Sequence, residues 1–145
     1  MDELCPAKYN KNGKFGGIRD LDVMFILDVT ASMSGSLNAC KTEIRNIIDN
    51  IRKEFSGIGV RLSIVAFRDH HYNEEDRFEI FPFSKTIDHC VTFLNDLACK
   101  AATGNDTPED SLGGLFQGLA QDWKAQNKYA ILITDAPCHG RMYHT

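Results

Sequence analysis

The residues best placed to do chemistry begin with Asp28-Val29-Thr30-Ala31-Ser32. Alternate positions carry a carboxylate and two hydroxyls, and in an extended turn alternate side chains point to one side. Three hard oxygen donors on one loop suit Mg²⁺ rather than zinc. With 13 Asp, 15 Ser plus Thr and 7 Ser in 145 residues, Asp-x-[Ser/Thr]-x-Ser is expected by chance roughly 0.06 times. The same hydroxyls, with Ser34, also suit the N-cap of a following helix, so the spacing alone leaves metal binding and capping both open. A second carboxylate, Asp135, follows the apolar run Tyr129 to Ile133 and Thr134. Two like charges in a partly desolvated place repel, and one must protonate or find a cation.

The elements that must position these groups are legible in the apolar pattern. Leu21 to Leu27 and Tyr129 to Ile133 are short runs rich in branched and aromatic residues, as strands buried on both faces require. Arg61 to Phe67 is similar with more alternation. Arg77 to Phe83 contains Pro82, which assigns it to a sheet edge. Helical spacing joins Leu37, Cys40, Ile44, Ile47, Ile48, Ile51 and Phe55 into one amphipathic face, ended by Gly57 and Gly59. A second helix is expected over Ile87 to Leu97. A third is expected to start near Pro108 and to bury Leu112, Leu115, Phe116, Leu119 and Trp123. Strands alternating with helices predict an α/β fold: a doubly wound, mostly parallel, Rossmann-like sheet with flanking helices. In such a sheet ligands gather outside the carboxyl ends of the strands. If the first and last strands are neighbours, Asp28 and Asp135 face each other there.

Composition narrows the function classes. Apolar residues make up 43% and charged residues 25% of the chain, enough for one domain with a core. Sixteen Lys plus Arg against twenty Asp plus Glu give a net charge of −4, which argues against a nucleic-acid partner. No apolar stretch is long enough for membrane insertion, and the polar N-terminus has no signal-peptide core. Five scattered cysteines without Cys-x-x-Cys disfavour a disulfide framework, although Cys90 and Cys99 would be the pair in an oxidising compartment. A reduced, cytoplasmic protein is the expectation. Residues 1–20, rich in Gly, Lys, Asn and Asp, read as an arm of weak structure.

Four motifs in order carry a family likeness: 25–33 (Phe25-Ile26-Leu27-Asp28-Val29-Thr30-Ala31-Ser32-Met33), 64–69 (Ile64 to Asp69), 104–110 (Gly104-Asn105-Asp106-Thr107-Pro108-Glu109-Asp110) and 131–140 (Ile131 to Gly140). Together they resemble the von Willebrand factor type A domain and its integrin I-domain relatives. The last segment looks most like the type A domains attached to alpha-type protein kinases. The resemblance makes residues 21–145 the domain and implies a metal-ion-dependent adhesion site. Asp28, Thr30 and Ser32 would form its first loop, and Asp135 would act from the fourth strand, often through water. The middle loop would add Thr107, by analogy with α-type I domains, or Glu109, by analogy with β-integrin domains. Neutral Thr107 is preferred because it leaves the metal electrophilic. Glu109 would otherwise be a helix-first-turn anion. The implied ion is Mg²⁺, with Mn²⁺ able to substitute, and the implied partner is a protein that supplies an Asp or Glu.

The chain also departs from the family pattern. Gly35 and Ser36 stand where β-integrin domains place acidic residues for an adjacent regulatory site, so that site is not expected. Asp69, Asp106 and Glu109, with the Pro108 carbonyl, match positions that hold a second Ca²⁺ in those domains; the alternative is that Asp69 pairs with Arg68 or caps a loop. Thr145 falls only ten residues after Asp135, so the family's last strand-helix units are expected to be missing. The strand Tyr129 to Ile133 would then be an exposed apolar edge open to self-association. No enzyme is expected. Cys138 and His139 are adjacent without an oxyanion-hole motif, and Cys138, His139 and His144 lack a fourth zinc ligand. His70 and His71 read as loop residues. A metal-dependent hydrolase would need His139 as its base, and a structural module with a vestigial site is the other alternative.

Overall fold

In the computed structural model, which describes residues 20–99 and 108–139, β1 (Asp20–Asp28) is buried along nearly its whole length. That follows from its position. The sheet order is β3-β2-β1-β4, where β2 is Gly59–Phe67, β3 is Phe78–Ser84 and β4 is Asn127–Ile133. β1 pairs in parallel with both β2 and β4. Alternate side chains therefore enter two different cores. Val23, Phe25 and Leu27 join Leu62 and Ile64 under α1 (Leu37–Glu54) and α3 (Ile87–Asp96). Met24 and Ile26 join Val65 and Phe67 on the opposite face, which α4 (Ser111–Leu119) covers. Each fully buried Leu, Ile or Phe contributes roughly 1.5–3 kcal/mol. The predicted doubly wound, mostly parallel arrangement is present. β3 is antiparallel to β2 and lies at the edge, as Pro82 requires. A one-turn helix, α2 (Glu74–Arg77), precedes it and takes Arg77 out of the expected strand.

α1 buries the expected stripe. Leu37, Ile44 and Ile48 are buried, and Cys40, Ile47, Ile51 and Phe55 pack against the same core. Its end is set by Gly57, whose φ of 92° suits glycine. Lys41 lies on the buried face too, which the pattern does not predict. Its ammonium donates to the Asn95 and Leu97 carbonyls at the C-terminus of α3, so it caps that helix with charge of the favourable sign. Burial, then the nearby Arg45 charge, pushes the Lys41 pKa down.

α4 differs from expectation in its start and its face. It begins at Ser111, not near Pro108, because the Asp110 carboxylate accepts the Gly113 N–H at 2.8 Å and forms the N-cap. Leu112, Phe116 and Leu119 are not its buried face; they are 40%, 70% and 77% exposed. The helix meets the sheet through Gly114 and Gly118 instead. A Cβ on Gly114 would fall 2.8 Å from the Phe67 ring, and one on Gly118 2.8 Å from the Met24 sulfur. Leu115 and Trp123 do pack against the core, although Trp123 lies beyond the helix end. Tyr129 and Leu132 of β4 are also exposed. Cys40, Cys90, Cys99 and Cys138 are free thiols, so Cys90 and Cys99 are not paired. No described helix is long and apolar enough to cross a membrane.

Candidate functional site

β1 and β4 run side by side with Leu27 opposite Ile133, so their carboxyl ends emerge together. Asp28 is fully buried at the end of β1. Its Oδ1 accepts the Thr30 N–H at 2.9 Å and the Thr30 hydroxyl at 2.6 Å. The Thr30 and Ser32 hydroxyls lie 3.1 Å apart, and Ser32 donates to Asp135 Oδ1 at 3.0 Å. Asp28, Thr30, Ser32 and Asp135 therefore form one connected set of oxygens. It runs from a buried carboxylate to an exposed one.

The loop hydroxyls do not serve as caps for the helices that follow. A 3₁₀ turn over Ala31–Gly35 follows Thr30, and α1 follows Ser36. Neither Thr30 nor Ser36 caps its helix through a side-chain hydrogen bond. The hydroxyls of Thr30 and Ser32 are turned instead towards the two aspartates.

Thr134 is the contributor that the sequence pattern alone does not single out. Its hydroxyl donates to Asp28 Oδ2 at 2.8 Å and receives the Ala136 N–H at 3.2 Å. Both Asp28 oxygens are thus held by hydroxyls. Register is the signal that finds it: the residue after Ile133 must lie beside the residue after Leu27.

Among the described residues no Lys, Arg or His makes an ion pair with Asp28. Nor do three His, Cys, Asp or Glu side chains converge as a metal-binding group. The converging donors are two carboxylates and three hydroxyls, all hard oxygens. That set disfavours zinc and fits a small hard cation such as Mg²⁺, which uses few protein carboxylates.

The middle loop is placed in part. Thr107 and Asp106 lie outside the described residues. Glu109 is buried; its N–H donates to the Pro137 carbonyl at 3.0 Å, and it forms a parallel bridge with Cys138. It precedes the first turn of α4, so it is not the helix-first-turn anion considered above. Glu109 is thereby tied to the segment that follows Asp135.

Asp69 is committed elsewhere. Its Oδ1 accepts the His70 N–H at 2.6 Å and lies 2.6 Å from His139 Nε2; its Oδ2 lies 3.3 Å from His71 Nε2. It does not pair with Arg68, which bonds the Asp76 carbonyl and Glu79. His70 is a packed loop residue, with its ring between Arg77 and Asp110. Burial first, then the charges of Arg77 and His139, lower its pKa against the opposing carboxylates of Asp110 and Asp69. His139 is buried and turned to Asp69 rather than to the oxygen set around Asp28.

Fold and site together define a Rossmann-like α/β domain with a cluster of side-chain oxygens at the carboxyl edge of its sheet. The sequence profile of the von Willebrand factor A domain matches residues 22–144, and the chain belongs to that family. Over 126 residues it is 28% identical to the alpha-protein kinase vwkA of Dictyostelium discoideum, covering 86% of this chain and 20% of that protein. Among solved structures it resembles the pilus adhesin SpaC of Lactobacillus rhamnosus GG in its open conformation. The TM-score is 0.63 at 21% identity, over 81% of this chain and 15% of the adhesin. A second structure of that adhesin gives a TM-score of 0.62 at 21% identity, over 83% and 16%. At that identity the likeness is one of fold. The chain spans about a fifth or less of the length of each of these proteins.

Proposed function

We propose that this domain is a metal-dependent protein-interaction module and not an enzyme. Domains of this family often serve as interaction modules. In this reading Asp28, Thr30, Ser32 and Asp135 hold Mg²⁺, directly or through water, and Thr107 or Glu109 completes the set. When bound, the ion supplies an electrophilic centre that accepts a carboxylate from a partner's Asp or Glu. The chain's own residues do the rest. Asp28 provides the buried charge, Thr30 and Thr134 orient it, and Ser32 links it to Asp135. The observation that carries the proposal is the buried Asp28, held by hydroxyls and making no ion pair with any described residue. A buried carboxylate in that state is costly and gains most from a cation. A cytoplasmic location belongs to the same proposal, supported by the free thiols.

Mg²⁺ titration by calorimetry tests this, with wild type and Asp28→Asn run in parallel. Saturable binding is expected in the wild type and is lost in the variant. Saturation at a hundred times Kd stabilises the folded state by about 2.7 kcal/mol, a rise in Tm of several degrees. Neither heat nor a Tm shift from folded wild type would reject the metal site in favour of a vestigial one.

A further inference from the structure

Asp135 is exposed, and after β4 ends at Ile133 the segment carrying it belongs to no regular element apart from a single bridge at Cys138. Its geometry must therefore come from side chains and from contacts with other loops. Two tethers lie within four residues of it. The Pro137 carbonyl accepts the Glu109 N–H at 3.0 Å. His139 Nε2 meets Asp69 Oδ1 at 2.6 Å, with both side chains almost fully buried at 3% and 7% exposed. Asp69 is itself fixed, because its carboxylate also receives the His70 N–H and approaches His71. The His70 ring stands edge-on to His139, with centroids 5.1 Å apart. His70 is in turn held by Arg77 at 2.9 Å and Asp110 at 3.2 Å. The loop after β4 is thus clasped to the loop after β2 and to the start of α4.

We propose that His139 is a positioning residue for the metal site. Through its bond to Asp69 it fixes the course of the loop that presents Asp135 to Ser32. It touches no metal in this scheme. The inference rests on the metal-binding reading above and goes beyond it, because a residue outside the ligand set then governs affinity. Charge-assisted bonds of this kind are the strong ones. Loss of groups that orient metal ligands commonly weakens metal binding 10–100-fold.

The test is Mg²⁺ calorimetry on wild type, His139→Leu, His139→Gln and Asp69→Leu, and on the double variant His139→Leu with Asp69→Leu. Each variant is first checked for a cooperative thermal transition in chelator. His139→Leu is expected to raise the Mg²⁺ Kd about tenfold or more. His139→Gln keeps an N–H donor and should restore affinity to within about threefold. The double variant should bind no more weakly than the worse single variant, since both substitutions break the same bond. A general packing defect would give no rescue by Gln and additive losses. Wild-type affinity in folded His139→Leu would overturn the positioning role while leaving the metal site standing. If that variant does not fold, the comparison of His139→Gln with Asp69→Leu carries the test: equal affinities for those two overturn the role as well. Absence of Mg²⁺ binding by the wild type would overturn both readings at once.

Discussion

Replacing Asp22 with alanine should remove about 3–5 kcal/mol of stability at neutral pH. Asp22 is fully buried near the start of β1. It accepts bonds from Arg61 Nε at 2.9 Å and Nη2 at 2.6 Å, from the Lys124 N–H at 2.8 Å and from the Ala125 N–H at 2.9 Å. Without the carboxylate, two backbone donors lose their partner, at roughly 1–3 kcal/mol each where water cannot replace it. Arg61 keeps only its bond to the Asp122 carbonyl at 2.9 Å and its place over the Phe83 ring, while its charge stays mostly buried. Against a typical total of roughly 5–15 kcal/mol, that loss should be plain in urea denaturation as a lower midpoint with an unchanged slope. The pH dependence has a definite sign. Burial alone would raise the Asp22 pKa, but Arg61 and the Ala125 and Lys124 N–H groups outweigh it and hold the carboxyl below its usual value of 3.8. A depressed carboxyl stabilises fully above the unfolded pKa of about 3.9. That contribution is lost as pH falls through the lower folded value. The gap between wild type and variant should be constant from about pH 5 to 7 and should narrow below about pH 4. A loss under about 1 kcal/mol, or a gap that widens in acid, would refute this account of Asp22.

Gly114→Ala should destabilise the protein by about 1–2 kcal/mol. The gain in helix propensity of about 1 kcal/mol is outweighed by crowding against the fully buried Phe67; thermal melting that shows a stabilised variant would refute the close packing of α4. In thiol labelling near pH 8, exposed Cys138 should react quickly. Cys90 should stay unmodified until the protein unfolds, because burial pushes its thiol up to about 12. Equal labelling rates for the two would contradict that burial.

The parts of the fold written in periodicity were legible. The four strands, the edge position conferred by Pro82 and the face of α1 all follow from where apolar residues recur. α4 was misread because periodicity assumes that the largest apolar side chains go inward. Gly114 and Gly118 let the helix backbone approach Phe67, Ile26 and Met24, and that approach turns Phe116 and Leu119 outward. Its start was misread because Pro108 suits a first turn, whereas the Asp110 side chain makes the cap that fixes the boundary. At the site, Asp28, Thr30, Ser32 and Asp135 were legible from spacing and strand position. Thr134 needs strand register, and the Asp69–His139 bond spans 70 residues, so no local pattern encodes it. Lys41 was hidden in the same way, because its partners are carbonyls at the far end of α3.

β1 poses one physical problem twice and solves it differently each time. Asp22 and Asp28 are both fully buried carboxylates on the same strand, and each carries a desolvation cost that must be offset. At Asp22 a guanidinium and two backbone N–H groups of this chain complete the offset. That end of the strand therefore serves stability and needs no ligand. At Asp28 the donors are hydroxyls and one N–H, which orient the carboxylate, and no described residue makes an ion pair with it. A charge balanced from within gives a rigid anchor, and a charge left for an external cation gives a site whose occupancy can vary. On the metal-binding reading proposed above, stability and binding fall to opposite ends of one strand. Asp22→Ala and Asp28→Asn should accordingly separate them: the first lowers the urea midpoint with Mg²⁺ affinity kept in the folded protein, and the second abolishes Mg²⁺ binding without a comparable loss of stability in chelator. A variant pair that failed to separate in this way would mean that the two ends of β1 are coupled through the sheet.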